Sequence, residues 1–221
     1  MSVHIEAYHR IKDQLHQSNV TLVAVSKTKP LEDIQTLYAL GQRNFGENYV
    51  QELVDKHTAL PSDIQWHFIG HLQSNKVKYI APFVHLIHGV DSEKLLAEIN
   101  KQAHKHNRQI PCLLQVHIAS EQTKFGFDTQ SLQEFITSER RSQYNNVVIQ
   151  GLMGMASFTE NTALIEKEFS TLKSIYDQTA SIINNTHFNT LSMGMSGDYT
   201  IAIEKGSTLV RIGSLLFGAR N

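Results

Sequence analysis

The chain is expected to fold as an α/β protein, a single (β/α)8 TIM barrel with one extra helix ahead of the first strand. Three observations point there. Apolar runs rich in β-branched residues alternate about eight times with segments of helical period. The runs are apolar on both faces, as in strands of a parallel sheet covered on both sides. The connections are short, with no linker, repeat or low-complexity stretch, and an open sheet of this length usually holds fewer strands. At 221 residues, 41% of them hydrophobic, the chain can bury a full core, and one domain over residues 1–221 is expected.

In chain order, residues 3–17 carry Ile5, Tyr8, Ile11 and Leu15 on one helical stripe. The run Val20-Thr-Leu-Val-Ala-Val-Ser-Lys-Thr-Lys-Pro30 is the first strand, stopped by its proline. Pro30 opens and Gly41 closes a helix over 31–40. A short strand and turn at 44–48 leads into a helix over 49–58. Residues 65–70 are the third strand, followed by a helix over 73–80. Residues 84–90 are the fourth strand, with Asp91 or Ser92 capping a helix that ends near His106. A fifth strand over 111–118 precedes an irregular piece, 119–127, and Asp128 or Thr129 caps the next helix. Residues 147–155 are the sixth strand and 161–184 a long helix, with Phe169, Leu172, Ile175 and Tyr176 on its buried stripe. Strands at 187–192 and 207–212, each followed by a helix, finish the chain.

Lys plus Arg (20) nearly balances Asp plus Glu (21) and no basic stripe stands out, so neither a nucleic-acid nor a membrane-surface partner is suggested. Cys112 is the only cysteine, which excludes an intrachain disulfide and a cysteine metal cluster. It lies in the apolar run 111–116, as a buried structural thiol would. The histidines are scattered without Asp or Glu at ligand spacing, and no metal site is read. The first sixteen residues lack the apolar core of a signal peptide, and no stretch approaches a membrane span. A cytoplasmic, soluble protein is the expectation.

In a barrel of this kind, chemistry gathers at the C-terminal ends of the strands. Lys27, Asn48, Gly70, Asp91, His117, Met155, Ser192 and Arg211 end successive strands or begin the loops after them, and are expected to ring one mouth. Period two puts Thr21, Val23, Val25 and Lys27 on one face of the first strand. Two readings of Lys27 stand at this point. It has either reached solvent at the strand tip, or it is an amine whose pKa an apolar site lowers until it can attack a carbonyl and form a Schiff base.

Near the C-terminus, Leu191-Ser-Met-Gly-Met-Ser-Gly-Asp198 and Ser207-Thr-Leu-Val-Arg-Ile-Gly-Ser-Leu-Leu-Phe-Gly218 each read as strand, small-residue turn and helix start. Such turns let backbone N–H groups approach an oxygen closely, and two in tandem on the last strands match the usual phosphate position of this architecture. Arg211 shares an inward row with Leu209, where an arginine pairs a carboxylate or phosphate, or faces a heterocycle nitrogen and keeps it unprotonated. Lysine, phosphate cup and inward arginine together describe a pocket for pyridoxal phosphate.

The motifs Val25-Ser-Lys-Thr-Lys-Pro30, Phe45-Gly-Glu-Asn-Tyr-Val-Gln-Glu52, Trp66-His-Phe-Ile-Gly70 with Leu72-Gln-Ser-Asn-Lys76, and the pair between Ser192 and Gly218 resemble those of the pyridoxal phosphate homeostasis protein family, over essentially the whole chain. The resemblance implies a fold similar to the N-terminal barrel of bacterial alanine racemase, that of fold type III pyridoxal phosphate proteins. It implies pyridoxal 5'-phosphate as cofactor, Lys27 as the aldimine lysine and Arg211 opposite the pyridine nitrogen. Ser192, Ser196, Gly197, Gly213 and Ser214 would surround the phosphate. Asn48 and His67 are wall candidates, although Asn48 can instead cap the following helix and His67 can be a core histidine. His71 stands where proline is common in the family, and His117 where asparagine is.

Related racemases use two bases, the second from an added domain and a partner subunit. With one lysine and a ring-facing arginine, fast α-proton chemistry is not expected here. The implied role is reversible carriage and supply of pyridoxal phosphate by a non-catalytic monomer, at most a weak dimer, meeting pyridoxal phosphate-dependent apoenzymes transiently. The alternatives are a weak amino-acid racemase or isomerase, and a cofactor-free barrel aldolase acting through Lys27. Lys29, Lys76 and Lys124, on mouth loops, are candidates for a second transient phosphate or are solvated charges.

Overall fold

The computed structural model of the chain describes residues 3–119 and 125–218. Eight parallel strands pair in sequence order and close on themselves: β1 (Thr21–Val25), β2 (Asn44–Glu47), β3 (Gln65–Phe68), β4 (Leu86–Val90), β5 (Ile110–Gln115), β6 (Val147–Met153), β7 (Thr190–Met195) and β8 (Leu209–Ile212). The closing pair sets Thr21 against Leu209 and Ala24 against Ile212. Helix α1 (Ile5–Gln17) precedes the barrel. Then α2 (Leu31–Ala39), α3 (Val50–Ala59), α4 (Val77–Ile80), α5 (Glu93–Lys105), α6 (Thr129–Thr137), α7 (Thr162–Ile183), α8 (Tyr199–Glu204) and α9 (Ser214–Phe217) follow the strands one by one.

The helix starts follow local chemistry. Ser92 accepts the Leu95 N–H at 3.3 Å and Asp128 the Ser131 N–H at 2.7 Å, so of each alternative pair these residues are the caps. Asn161 caps α7 in the same way. Pro30 precedes α2, and Gly41 follows it at φ 90°, a conformation glycine takes without steric cost. No helix among the described residues is long and apolar enough to cross a membrane, and none of their His, Cys, Asp and Glu form a group of three or more able to hold a metal.

Several elements differ from the expectation: β5 ends at Gln115 rather than 118, β6 at Met153 rather than 155, and β8 begins at Leu209 rather than 207. Ile5 is exposed, and only Tyr8, Ile11 and Leu15 of its stripe are buried. The helix expected over 73–80 is a 3-10 turn, Ser74–Lys76, followed by a single α-turn. Strand β7 begins three residues later than expected and runs on to Met195. Residues 184–189 are consumed in a turn, with Asn184 left-handed at φ 45° and Asn185 accepting the His187 N–H. Gly194, whose residue type reads as a stop, instead sits in the strand at φ 95° where the β7–β8 register shifts. Of the irregular piece 119–127, the part at 120–124, with Lys124, lies outside the described residues.

The core is two-layered. The outward rows of the strands and the helices' buried stripes form the larger cluster, to which Phe45, Trp66, Phe68, Leu114 and Phe169 belong. Inside the barrel a smaller cluster, Val23, Leu86, Leu113, Met153 and Leu209, fills one layer. Cys112 is buried in the outer cluster, where burial pushes its thiol pKa up. One step further along the inward rows, Val25 and Arg211 line a cavity.

Barrel closure between β6 and β7 depends on Gly151, which pairs with Thr190 so closely that a Cβ would overlap the Thr190 carbonyl oxygen. That obstacle is backbone and cannot turn aside. Gly151→Ala is therefore expected to destabilise by about 3 kcal/mol or more. Gly197→Ala, whose Cβ meets nothing within 4 Å, is expected to stay within about 1 kcal/mol of the parent. Urea unfolding midpoints of the two variants check the contrast.

Candidate functional site

A cavity of about 530 Å³ opens at the C-terminal ends of the strands. Lys27 lines it from the end of β1, Asn48 from β2, Ile69 from β3, Met155 from β6, Ser196 and Gly197 from β7, and Gly213 and Ser214 from β8. Arg211 closes it from within the barrel. Lys27 continues the inward row of Val23 and Val25, so the amine that terminates β1 is half-buried at the cavity wall.

Asn48 does not cap α3, whose N-cap is Tyr49 with no side-chain bond. Its Oδ1 is buried without a hydrogen-bond partner, on a residue of the cavity wall. Gly70 makes this placement possible, because a Cβ there would overlap the Asn48 carbonyl oxygen. The last two turns are tied together: the Ser196 hydroxyl accepts the Gly213 N–H at 3.2 Å, and Asp198 Oδ1 accepts the Met195 N–H at 2.6 Å. At Gly213 a Cβ would press to 3.3 Å on Val25, so glycine lets the end of β8 lie against β1. The opening N–H groups of α9 have no carbonyl within the helix to bond.

His67 and Ser192 are not on the cavity wall. Both are buried inside the barrel, in a column of polar side chains. Asn44 Oδ1 lies 2.9 Å from His67 Nε2, His67 Nδ1 2.9 Å from His88 Nε2, and His88 Nδ1 3.1 Å from Ser192 Oγ. Arg211 Nη1 donates to Ser192 Oγ at 2.6 Å and to the Ser192 carbonyl at 3.0 Å, while Nη2 donates to the Gly154 carbonyl at 3.2 Å. Ser192 was expected at the phosphate turn; the extra length of β7 puts it mid-strand, paired with Met153 and Leu209.

With Asn44 Oδ1 turned toward His67 and both imidazoles neutral, the donors of the column run in one order. Asn44 Oδ1 can only accept, so His67 carries its proton on Nε2 and accepts at Nδ1. His88 must then donate from Nε2 and accept at Nδ1, and Ser192, which already accepts from Arg211, donates to it. Both imidazoles are neutral in this arrangement. Burial agrees, lowering His67 to about 3, with His85 contributing, and driving His88 well below its ordinary value, with His67, Arg211 and His85 adding to the effect. Burial also lowers Arg211, to about 10, against the pull of Asp198, so it stays protonated at neutral pH.

The residues 155–159 form a further wall that the sequence reading touched only at Met155. Glu168 of α7, itself buried, accepts both the Ser157 N–H (2.6 Å) and the Ser157 hydroxyl (2.7 Å), pinning this loop. Lys29 lines the cavity and donates to the Phe217 carbonyl at 2.7 Å, whereas Lys76 lies over the Tyr79 ring, away from it. His71 stacks on Phe125 and lies 3.2 Å from Asp91 Oδ2; neither His71 nor His117 lines the cavity.

Residues 5–221 match the model of the family "Alanine racemase, N-terminal domain". A curated relative, the pyridoxal phosphate homeostasis protein of Aquifex aeolicus, is 42% identical over 200 residues, covering 90% of this chain and 86% of that one. Among solved structures, PipY of Synechococcus elongatus without PLP superposes with a TM-score of 0.89 at 36% identity, and PipY with PLP bound with 0.86 at 35%. Each comparison covers 96% of this chain and 99% of PipY.

His67 is held in the neutral state, so its contribution to stability is present above the unfolded imidazole value of 6.5 and is lost as pH falls toward its folded value of about 3. The stability advantage of the parent over His67→Gln, measured by urea titration, is expected to shrink by on the order of 2 kcal/mol between pH 7.5 and pH 5.

Proposed function

The chain belongs to the alanine racemase N-terminal domain family and, within it, to the pyridoxal phosphate homeostasis proteins, and from that premise we propose that it binds pyridoxal 5'-phosphate reversibly and serves to hold and supply it. The observation that carries the reading is the cavity itself, with an amine at the end of β1 and the tied Ser196–Gly213 turns both on its wall. The residues fit the group. Asn48 presents a buried amide on the cavity wall whose Oδ1 has no partner, Gly197 leaves its side of the cavity open, and the two turns offer hydroxyl and N–H donors suited to a phosphate.

When bound, the cofactor supplies an aldehyde able to condense with an amine and an electron-withdrawing ring. Lys27 would provide the amine that holds the cofactor covalently but reversibly. Ser196, Gly197, Gly213 and Ser214 would orient the phosphate end. Arg211, fixed by Ser192 and Gly154, presents a protonated guanidinium, which would keep a ring nitrogen placed against it unprotonated. That weakens the ring's pull on electrons, the opposite of what fast α-proton removal requires.

The same wall supports a carrier rather than a strong catalyst. Of its other ionisable groups, Lys29 is bonded to the Phe217 carbonyl, Asp198 to the Met195 N–H and Arg211 to Ser192 and Gly154. Transient contact with pyridoxal phosphate-dependent apoenzymes belongs to this proposal as the route of delivery.

Protein reconstituted with pyridoxal phosphate is expected to be yellow, and borohydride to fix the ligand's mass on the peptide containing Lys27. Lys27→Ala is expected to lose both signals. An unchanged visible spectrum in that variant refutes the assignment, and deuterium entering an amino-acid α-carbon from heavy water faster than with free cofactor refutes the carrier reading.

A further inference from the structure

Asn48 is the one member of the motif Phe45-Gly-Glu-Asn-Tyr-Val-Gln-Glu52 that the cavity uses, yet two of its other residues are tied to the turn that carries Lys27. Glu47 is fully buried, and Glu52 lies in the first turn of α3. One helical turn on, Lys56, also buried, donates to three oxygens: the Ser26 carbonyl at 2.7 Å, Glu47 Oε1 at 2.8 Å and Glu52 Oε1 at 2.7 Å. Its three N–H bonds are thereby all used. The Ser26 hydroxyl donates to Glu47 Oε1 at 2.6 Å, and the Thr28 N–H donates to Glu52 Oε1 at 2.5 Å.

The residue before Lys27 is thus gripped by hydroxyl and carbonyl, and the residue after it by its N–H. Thr28 is held at φ 64°, a conformation a β-branched residue adopts only under constraint. The cluster is a poor device for stability alone. Burial pushes the Glu47 carboxyl up to about 7 although Lys56 and Ser26 pull it down, and its Oε2 has no partner. Buried ion pairs of this kind are commonly replaceable by apolar residues without loss. Its geometry therefore needs another explanation, and each of its three members places one bond on the same three-residue turn: Lys56 on the Ser26 carbonyl, Glu47 on the Ser26 hydroxyl and Glu52 on the Thr28 N–H.

We propose that Glu47, Glu52 and Lys56 are positioning residues for Lys27, clamping the backbone on both sides of it and so fixing the direction from which its amine enters the cavity. The proposal rests on the reading that Lys27 takes the cofactor. It separates two properties that substitution can tell apart: an acceptor for the Thr28 N–H, and a charge for Lys56. Glu52→Ala removes both, whereas Glu52→Gln keeps the acceptor.

The experiment compares these two variants with the parent. Thr28 amide hydrogen exchange is followed by NMR on cofactor-free protein, and pyridoxal phosphate release by loss of the visible band. In Glu52→Ala, Thr28 exchange and release are both expected to speed up about tenfold or more, and in Glu52→Gln to stay within about threefold of the parent. Thermal unfolding of both variants is expected within a few degrees of the parent, because Glu52 is partly exposed. Parent-like release from Glu52→Ala overturns the proposal, whether or not Thr28 exchange changes. If the parent takes up no pyridoxal phosphate, the cofactor reading fails by itself. The clamp is then judged by acetic anhydride labelling of Lys27: an altered rate in Glu52→Ala restored in Glu52→Gln supports it, and equal rates overturn it.

Discussion

A guanidinium inside a barrel must find its acceptors among the strands. Arg211 meets that demand with the Ser192 carbonyl and hydroxyl and the Gly154 carbonyl, and the rest of the interior is arranged around this solution. Ser192 has to hand its own proton on, so His88 must accept it, His67 must accept from His88, and Asn44 ends the series. A single apolar layer, Val23, Leu86, Leu113, Met153 and Leu209, shares the interior with this column. The floor of the cavity is therefore a continuous hydrogen-bonded network over an apolar layer, while its walls are turns.

Those turns are each anchored from behind. Glu168 holds Ser157, Asp198 holds the Met195 N–H, and Ser196 ties the end of β7 to the end of β8. Close backbone approach at Gly70 and Gly213 lets neighbouring strand ends crowd together without side chains intruding. The arrangement joins a floor of buried strand residues to walls built by loop chemistry, the division of labour that lets one barrel architecture host many ligands.

Much of this could be read from the residues alone. The barrel followed from the alternation of two-faced apolar runs with helices, and Lys27 and Arg211 followed from counting by two along β1 and β8. What escaped was tertiary. Ser192 is expected at a strand tip because the strand is read as ending there, whereas the β7–β8 pairing carries it on to Met195 through a register shift. His67 was left between wall and core because its partner, His88, lies 21 residues away on another strand. Lys56 looks like any surface lysine of an amphipathic helix until α3 is laid against β2. Asn48 stayed ambiguous because capping and cavity lining start from the same strand-end position.

The one-way order of the buried column has an electrostatic consequence. Every N–H and O–H in it points away from Arg211 toward Asn44, so the lone pairs of Ser192, His88 and His67 all face the guanidinium. Their bond dipoles add, presenting a partial negative end to the cation much as a helix C-terminus would. Neutral groups thereby serve as a diffuse counterion that adds to the pull of the Asp198 carboxylate on a buried arginine.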